Sequence, residues 1–365
     1  MPSPAALQNL VNRKLDALQF RPSEHTIVLD PVVCGLGGQI SGRVHTLALA
    51  LALGRKALFI GLADPPYGQS LTPLHSPEVL PGDHKMVPLA DLTVAQNDPV
   101  VRYDPLHLTI GAPGFDAVLL ARVSKRLGTD IPDRLLLEGL IFNWMKPTAA
   151  MASFCESEQL RLGIDGTTLG VHFRRGDKAV ETAFVPAAEI NRQIAAIHRQ
   201  WPFLSLFLAS DSPLATQEIV CPDGVRLLFD AGEKRYNNAN HKMLIASPDL
   251  ADEETQVAFK NIMLLAACGG AVGQDNAHFA TLAAGAILAR EGKPARIVLI
   301  DGRIAERSSR LLSGRYQIKL ALRAVARRLF PHLTARARAA RGAAAKDITP
   351  SPPRRSARRR SWRGT

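Results

Sequence analysis

The 365-residue chain is 46% hydrophobic, which excludes wholesale disorder, and it is long enough for two domains of ordinary size. Its formal charge of +12 is uneven: residues 310–365 hold 16 Lys+Arg against the single acid Asp347, a net of +15, and the preceding 309 residues carry a net of −3. The four cysteines, Cys34, Cys155, Cys221 and Cys268, form no CxxC pair, which argues against a zinc site and, at this length, against a disulfide framework.

Thr26–Val33 reads as a buried strand, followed by a glycine-rich turn, a helix over about Gln39–Leu53 and a strand over Lys56–Leu62. Gly35, Gly37 and Gly38 do not fit GxGxxG, because Ile40 stands at the third glycine's place; they permit a close backbone approach or serve the turn itself. Arg43 and His45, one turn further, can line a cleft. Regular patterning is lost between Ala63 and Gly114, a segment rich in Pro, Gly, His and Asp, as loops that shape a site often are. Pro132–Lys146 reads as a helix with Pro132 at its start and Pro147 stopping it.

The second half alternates regularly. Strands are predicted at Thr168–Phe173, Leu204–Ala209, Val225–Phe229, Gly270–Gly273 and Arg296–Ile300, and helices at Ala187–Gln200, Leu214–Val220, Asp252–Cys268 and Ala277–Arg290. That order implies an α/β fold with a parallel, doubly wound sheet and right-handed crossovers. The boundaries expected are an N-terminal α/β domain over 1–160, a C-terminal α/β domain with a closing helix over 161–333, and a basic tail over 334–365. Gly314–Leu333 can form a basic amphipathic helix within the second of these.

Val171–Lys178, VHFRRGDK, closes the strand that starts at Thr168. Ligands of open α/β sheets bind beyond the C-terminal strand ends. Arginine presents a planar fork of donors suited to phosphate, so a diphosphate above the sheet is expected here. Neighbours along a strand point to opposite faces, so Arg174 and Arg175 both serve only if the strand has ended by Arg174; otherwise one faces the cleft and the other is structural. A surface ion-pair cluster with Asp177 is the alternative. His172 contacts the nucleotide, orients an arginine or is merely hydrogen-bonded, and Lys178 is a candidate second phosphate cation. Asp211, after a strand and before Ser212-Pro213, reads as a helix N-cap or as a cleft residue. Gln274-Asp275-Asn276-Ala277 opens a helix, where small polar groups and free N–H groups suit a diphosphate. Asp275 would repel phosphate and is better placed to cap that helix.

The same segment resembles the first motif of the α-1,6-fucosyltransferases: His, one apolar residue, Arg-Arg, one variable residue, Asp-Lys. His172, Arg174, Arg175, Asp177 and Lys178 match it. Glu181-Thr182-Ala183-Phe184, Ala209-Ser210-Asp211-Ser212-Pro213 and Cys34-Gly35-Leu36-Gly37-Gly38-Gln39 are similar to further family segments, over about residues 25–300. The resemblance implies the two-domain GT-B architecture of Rossmann-like halves and metal-independent, inverting transfer of fucose from GDP-fucose to a GlcNAc-containing oligosaccharide or glycan, with no cofactor. It also implies roles: Arg174 the essential diphosphate ligand, Arg175 supporting it, Glu181 the general base, Asp211 near the donor, and Gly37, Gly38, Asn276 and Asp275 around the nucleotide. Ser212 replaces the family's second acid. Asn261 stands where the family has an Asp that reads guanine, and an amide accepts less than a carboxylate from the guanine edge.

Two rivals stay open. One is a transferase of another nucleotide sugar, which Asn261 and Asp275 favour. The other is a non-catalytic protein that binds nucleic acid or membrane through its basic tail, nucleic acid being the less expected partner. A weak electrostatic tether to anionic lipid is the role expected of the tail. Met1-Pro2-Ser3-Pro4 shows no charged-then-apolar leader, and Leu47–Leu53 is too short to span a bilayer. The expected location is the cytoplasm, peripherally at the inner face of the membrane if the tail engages it.

Overall fold

A computed structural model of the chain describes residues 2–29, 35–59, 70–76, 87–88, 100–103, 114–175, 184–235, 248–302, 304 and 318. Helix α1 (Pro4–Gln19) begins where the Ser3 hydroxyl accepts the Ala6 N–H and Pro4 occupies the first turn, and it buries Leu7, Val11 and Leu15 as one stripe. Strand β1 (Thr26–Leu29), helix α2 (Leu36–Leu53) and strand β2 (Lys56–Phe59) form the predicted first unit. The parts of those predicted strands beyond Leu29 and Phe59 lie outside the described residues. α2 ends at Gly54, whose φ of 69° is the left-handed closure that glycine adopts without strain.

Strands β3 (Val87–Pro88) and β4 (Val100–Tyr103) come from the segment that the sequence shows as irregular. They complete a parallel sheet of order β2-β1-β4-β3. Elements of two and four residues among prolines are too short for a period-2 pattern to register. Gln19, wholly buried, closes the β2 edge: its side-chain amide donates to the Ala57 and Leu74 carbonyls and accepts the Ala57 N–H.

Helices α3 (Phe115–Leu127), α4 (Arg134–Trp144) and α5 (Ala149–Leu162) follow. The predicted start of α4 at Pro132 is corrected: Asp133 is the N-cap and its carboxylate accepts the Leu136 N–H at 2.7 Å. The second sheet is built from β5 (Thr168–His172), β6 (Ser205–Ala209), β7 (Arg226–Leu228), β8 (Gly270–Gln274) and β9 (Ile297–Ile300). They are joined through α6 (Ala187–Gln200), α7 (Ala215–Glu218), α8 (Pro248–Ala267) and α9 (His278–Glu291). All strands are parallel, in order β7-β6-β5-β8-β9. The chain is thus an α/β protein with two parallel, doubly wound sheets, as the GT-B resemblance implies.

The helices between the sheets share one core. A continuous apolar cluster runs from Ile27, Leu29 and Val101 through Leu47, Leu140, Ile262 and Ile287 to Phe207, Ala209 and Ala271. A second cluster covers the other face of the second sheet, with Leu169, Val171, Phe173 and Leu206 against Ile190, Ile194 and Ile197 of α6. Both faces of that sheet are therefore buried, as parallel sheets require. Among the described residues, no helix is long and apolar enough to cross a membrane.

α4 and α9 cross at contact distance because both carry glycine there. A Cβ on Gly139 would fall on the Gly285 carbonyl, and a Cβ on Gly285 would meet the Leu135 carbonyl oxygen at 2.9 Å. Neither obstacle is a side chain that can swing away. Gly139→Ala is expected to cost about 3 kcal/mol or more, seen as a fall in the thermal unfolding midpoint; an unchanged midpoint would refute this packing.

Candidate functional site

In a doubly wound sheet the ligand crevice opens where the strand order reverses. Here that point lies between β5 and β8, since β5, β6 and β7 run to one edge and β8 and β9 to the other. His172 is the last residue of β5, and the segments after β5 and β8 carry Phe173–Arg175 and Asp275–Ala277.

β5 continues its pairing past its last regular residue. The Phe173 N–H donates to the Ala209 carbonyl at 2.9 Å, and the next donor on that side, the Arg175 N–H, donates to the Asp211 carboxylate at 2.7 Å. The segment through Arg175 thereby stays extended, and its side chains sort by face. Leu169, Val171 and Phe173 face the α6 side. Arg175 joins them: its guanidinium lies over the Phe173 ring at 4.3 Å and pairs with Glu218 at 2.9 Å, with 8% of the side chain exposed. Gly170 and His172 face the other way; a Cβ on Gly170 would meet Cys268 and Leu265, and the His172 ring lies 5.5 Å from the Phe279 ring. By alternation Arg174 shares that face with His172. Arg175 thus stands on the α6 side of the sheet, held by Glu218, as expected of the structural member of the pair if the strand runs past Arg174.

Of the two readings of Asp211 the N-cap fails: Leu214 is the N-cap of α7, and Asp211 Oδ1 accepts the Arg175 N–H. Asp275 does not cap α9 either: the N-cap is Ala277 with no side-chain bond, and Asp275 accepts the Gly302 N–H at 2.9 Å. Asn276 lies beside it, its Oδ1 3.5 Å from Gln274 Nε2. The first turn of α9 thus brings its positive end to the crevice without a side-chain cap.

Gly37 meets this turn from the other sheet. A Cβ there would approach Phe279 Cδ1 at 2.8 Å and His278 Cβ at 3.0 Å, so the first turns of α2 and α9 touch because residue 37 has no side chain. Gly38 is half-buried on the same turn. Arg43 is buried and donates to the Gln39 carbonyl. His45 leaves the crevice: it pairs with Glu138 at 3.1 Å and lies 3.2 Å from Arg134, against a small cavity lined also by Leu49, Phe115 and Leu119.

Asn261, on α8, donates from Nδ2 to Glu233 at 2.8 Å. Cys34, Asp177, Lys178 and Glu181 lie outside the described residues, as do residues 305–317 and 319–365. No group of three His, Cys, Asp or Glu that could hold a metal ion occurs among the described residues. Phe279, Glu233 and Arg235 escaped the sequence reading. The charged run Gly232-Glu233-Lys234-Arg235, a short way past the strand that ends at Leu228, was the available signal for the last two.

His172 is half-buried, and its Nδ1 is sealed from solvent with no hydrogen-bond partner among the described residues. Burial and the adjacent Arg174 charge, opposed by Asp211, push its pKa down to about 4. The imidazole is therefore neutral at pH 7.

No protein-family model matches the chain, and no curated protein matches it. Solved structures do. A GDP complex of an Arabidopsis thaliana FUT1 mutant is 11% identical, with a TM-score of 0.48, over 78% of this chain and 73% of that one. The fucosyltransferase NodZ from Bradyrhizobium is 14% identical, with a TM-score of 0.36, over 73% and 92%. POFUT1 in complex with GDP-fucose is 12% identical, with a TM-score of 0.41, over 77% and 98%. Likeness at this level assigns no residue and no reaction to the chain.

Because the folded-state pKa of His172 lies below the ordinary 6.5, its contribution to stability is present above pH 6.5 and is lost as pH falls towards 4. The difference in unfolding free energy between the wild type and His172→Gln is expected to narrow by up to about 1.4 kcal/mol per pH unit over that window. A difference independent of pH would mean that the imidazole is not held neutral.

Proposed function

We propose that the protein is an inverting glycosyltransferase that moves fucose from GDP-fucose to a hydroxyl of a GlcNAc-containing oligosaccharide or glycan. What supports this reading is the division of the arginine pair: within His-x-Arg-Arg-x-Asp-Lys, Arg175 pairs with Glu218, and strand alternation sets Arg174 on the face of a neutral His172. Departure of a nucleoside diphosphate builds negative charge on its terminal phosphate, and a fixed cation in a low-dielectric crevice stabilises that charge. The uncapped first turn of α9 supplies N–H dipoles of the same sign.

In this reaction the acceptor oxygen attacks the anomeric carbon, the bond from that carbon to the β-phosphate oxygen breaks, and the acceptor proton passes to a carboxylate. Glu181 holds that last role by resemblance. Lys178 is the second phosphate cation by the same reading. Asp211 serves by fixing the backbone that presents Arg174, and Asn276 and Gly38 border the nucleotide. The donor half is residues 161–333, the acceptor half residues 1–160, and residues 334–365 a basic tail whose charge supports a weak hold on anionic lipid. The chemistry asks for no metal.

One observation favours a second reading, transfer from a different nucleotide sugar. Asn261 commits its amide nitrogen to Glu233, so a base facing this residue meets one amide oxygen in place of a carboxylate. A panel of nucleotide sugars in the turnover assay separates the two.

Arg174→Ala is expected to lower turnover at least 100-fold with little change in the unfolding midpoint, the size found when a charge-stabilising group is removed. Arg175→Ala is expected to do the reverse in emphasis, lowering the midpoint first. Near-normal turnover of Arg174→Ala would overturn the proposal.

A further inference from the structure

The loop after β7 is fastened to the end of β6 by one side chain. Arg235 donates from Nε to the Ser210 carbonyl at 3.2 Å, from one terminal nitrogen to the Glu233 carbonyl at 2.9 Å and from the other to the Asp230 carbonyl at 2.7 Å. Its guanidinium also stacks on Phe229 at 4.4 Å. Two of the three carbonyls belong to residues whose carboxylates are themselves held. Lys260, with 3% of its side chain exposed, places Nζ 2.9 Å from Glu233, 3.2 Å from Asp230 and 3.7 Å from Glu158. Arg161 adds a second cation 2.8 Å from Asp230, and Asn261 a further donor to Glu233.

Such a group is costly to bury unless every member is partnered, so the loop has one low-energy position. The third carbonyl of Arg235, Ser210, precedes Asp211, whose carboxylate takes the Arg175 N–H. A rigid chain of contacts thus runs from Lys260 through the loop and Arg235 to the peptide before Asp211, and from Asp211 to the backbone between Arg174 and Arg175.

We propose that Arg235 is a positioning residue: by tying the ends of β6 and β7 together it fixes Asp211, and through Asp211 the extended backbone that presents Arg174 to the crevice. It touches no reacting atom. The proposal rests on the donor reading above for its effect on activity, and on the hydrogen bonds alone for its effect on the backbone. Lysine keeps the charge of Arg235 but not a planar fork that reaches three carbonyls.

Arg235→Gln and Arg235→Lys in the full-length chain test it by two readouts. In the first, amide hydrogen exchange at Arg175 is expected to speed at least 10-fold in either variant, while amides of β8 and α9 keep their rates. In the second, GDP affinity is expected to fall at least 5-fold, and this loss is expected to vanish when Arg235→Gln is made in an Arg174→Ala background. Unchanged exchange at Arg175 with a lowered unfolding midpoint would overturn the proposal, leaving Arg235 a merely structural residue. So would an equal loss of GDP affinity with and without Arg174. Should the wild type bind no GDP, the donor reading fails and the exchange readout alone decides the proposal; should Arg235→Gln not fold, Arg235→Lys carries both readouts.

Discussion

The hydrogen bond from the Arg175 N–H to the Asp211 carboxylate governs the site. β5 and β6 pair in parallel up to His172 and Ala209, and a parallel ladder needs a carbonyl acceptor at each step. Beyond Ala209 the chain turns away, and the Asp211 side chain supplies the acceptor that the backbone no longer offers. That one substitution keeps residues 173–175 extended. Alternation then sets the two adjacent arginines on opposite faces, with Arg175 over Phe173 and onto Glu218.

A second constraint shapes the crevice: the close approach of helices from both sheets. Gly139 and Gly285 let α4 and α9 touch through their backbones, and Gly37 lets α2 meet the first turn of α9. These contacts join the two sheets through one apolar core and bring two helix N-termini to the mouth of the β5/β8 crevice. Phe279 links them, packing against residue 37 on one side and the His172 ring on the other. The burial of His172 that follows from this contact keeps its imidazole neutral.

Much of the second half was legible in the sequence, because its strands are buried apolar runs and its helices carry long amphipathic or apolar patterns; α6 falls on the predicted residues Ala187–Gln200. The first half was less so. α1 has a Ser-Pro start but no acidic first turn and no basic last turn to mark its ends, and β3 and β4 are shorter than a recognisable period. The two helix-cap readings fail for one cause. Asp211 and Asp275 each stand between a strand and a helix, where local sequence favours a cap. Each carboxylate instead accepts a backbone N–H from a segment 36 or 27 residues away. Only tertiary structure discloses such partners. The same holds for His45, which helical spacing alone could not assign to Glu138 on α4 rather than to the cleft. The motif around Arg174 was legible as chemistry, and the alternation rule already posed the question that Glu218 answers.

The central claim is that the β5/β8 crevice holds a guanosine diphosphate through Arg174. Its most direct test is the unfolding midpoint of the wild-type chain with GDP, UDP, CDP, GDP-fucose and GDP-mannose in turn. A ligand at about 100 times its Kd stabilises by about 2.7 kcal/mol, a shift easily read. The account predicts a rise with GDP and GDP-fucose that is absent with UDP and CDP. No rise with any nucleotide would contradict it.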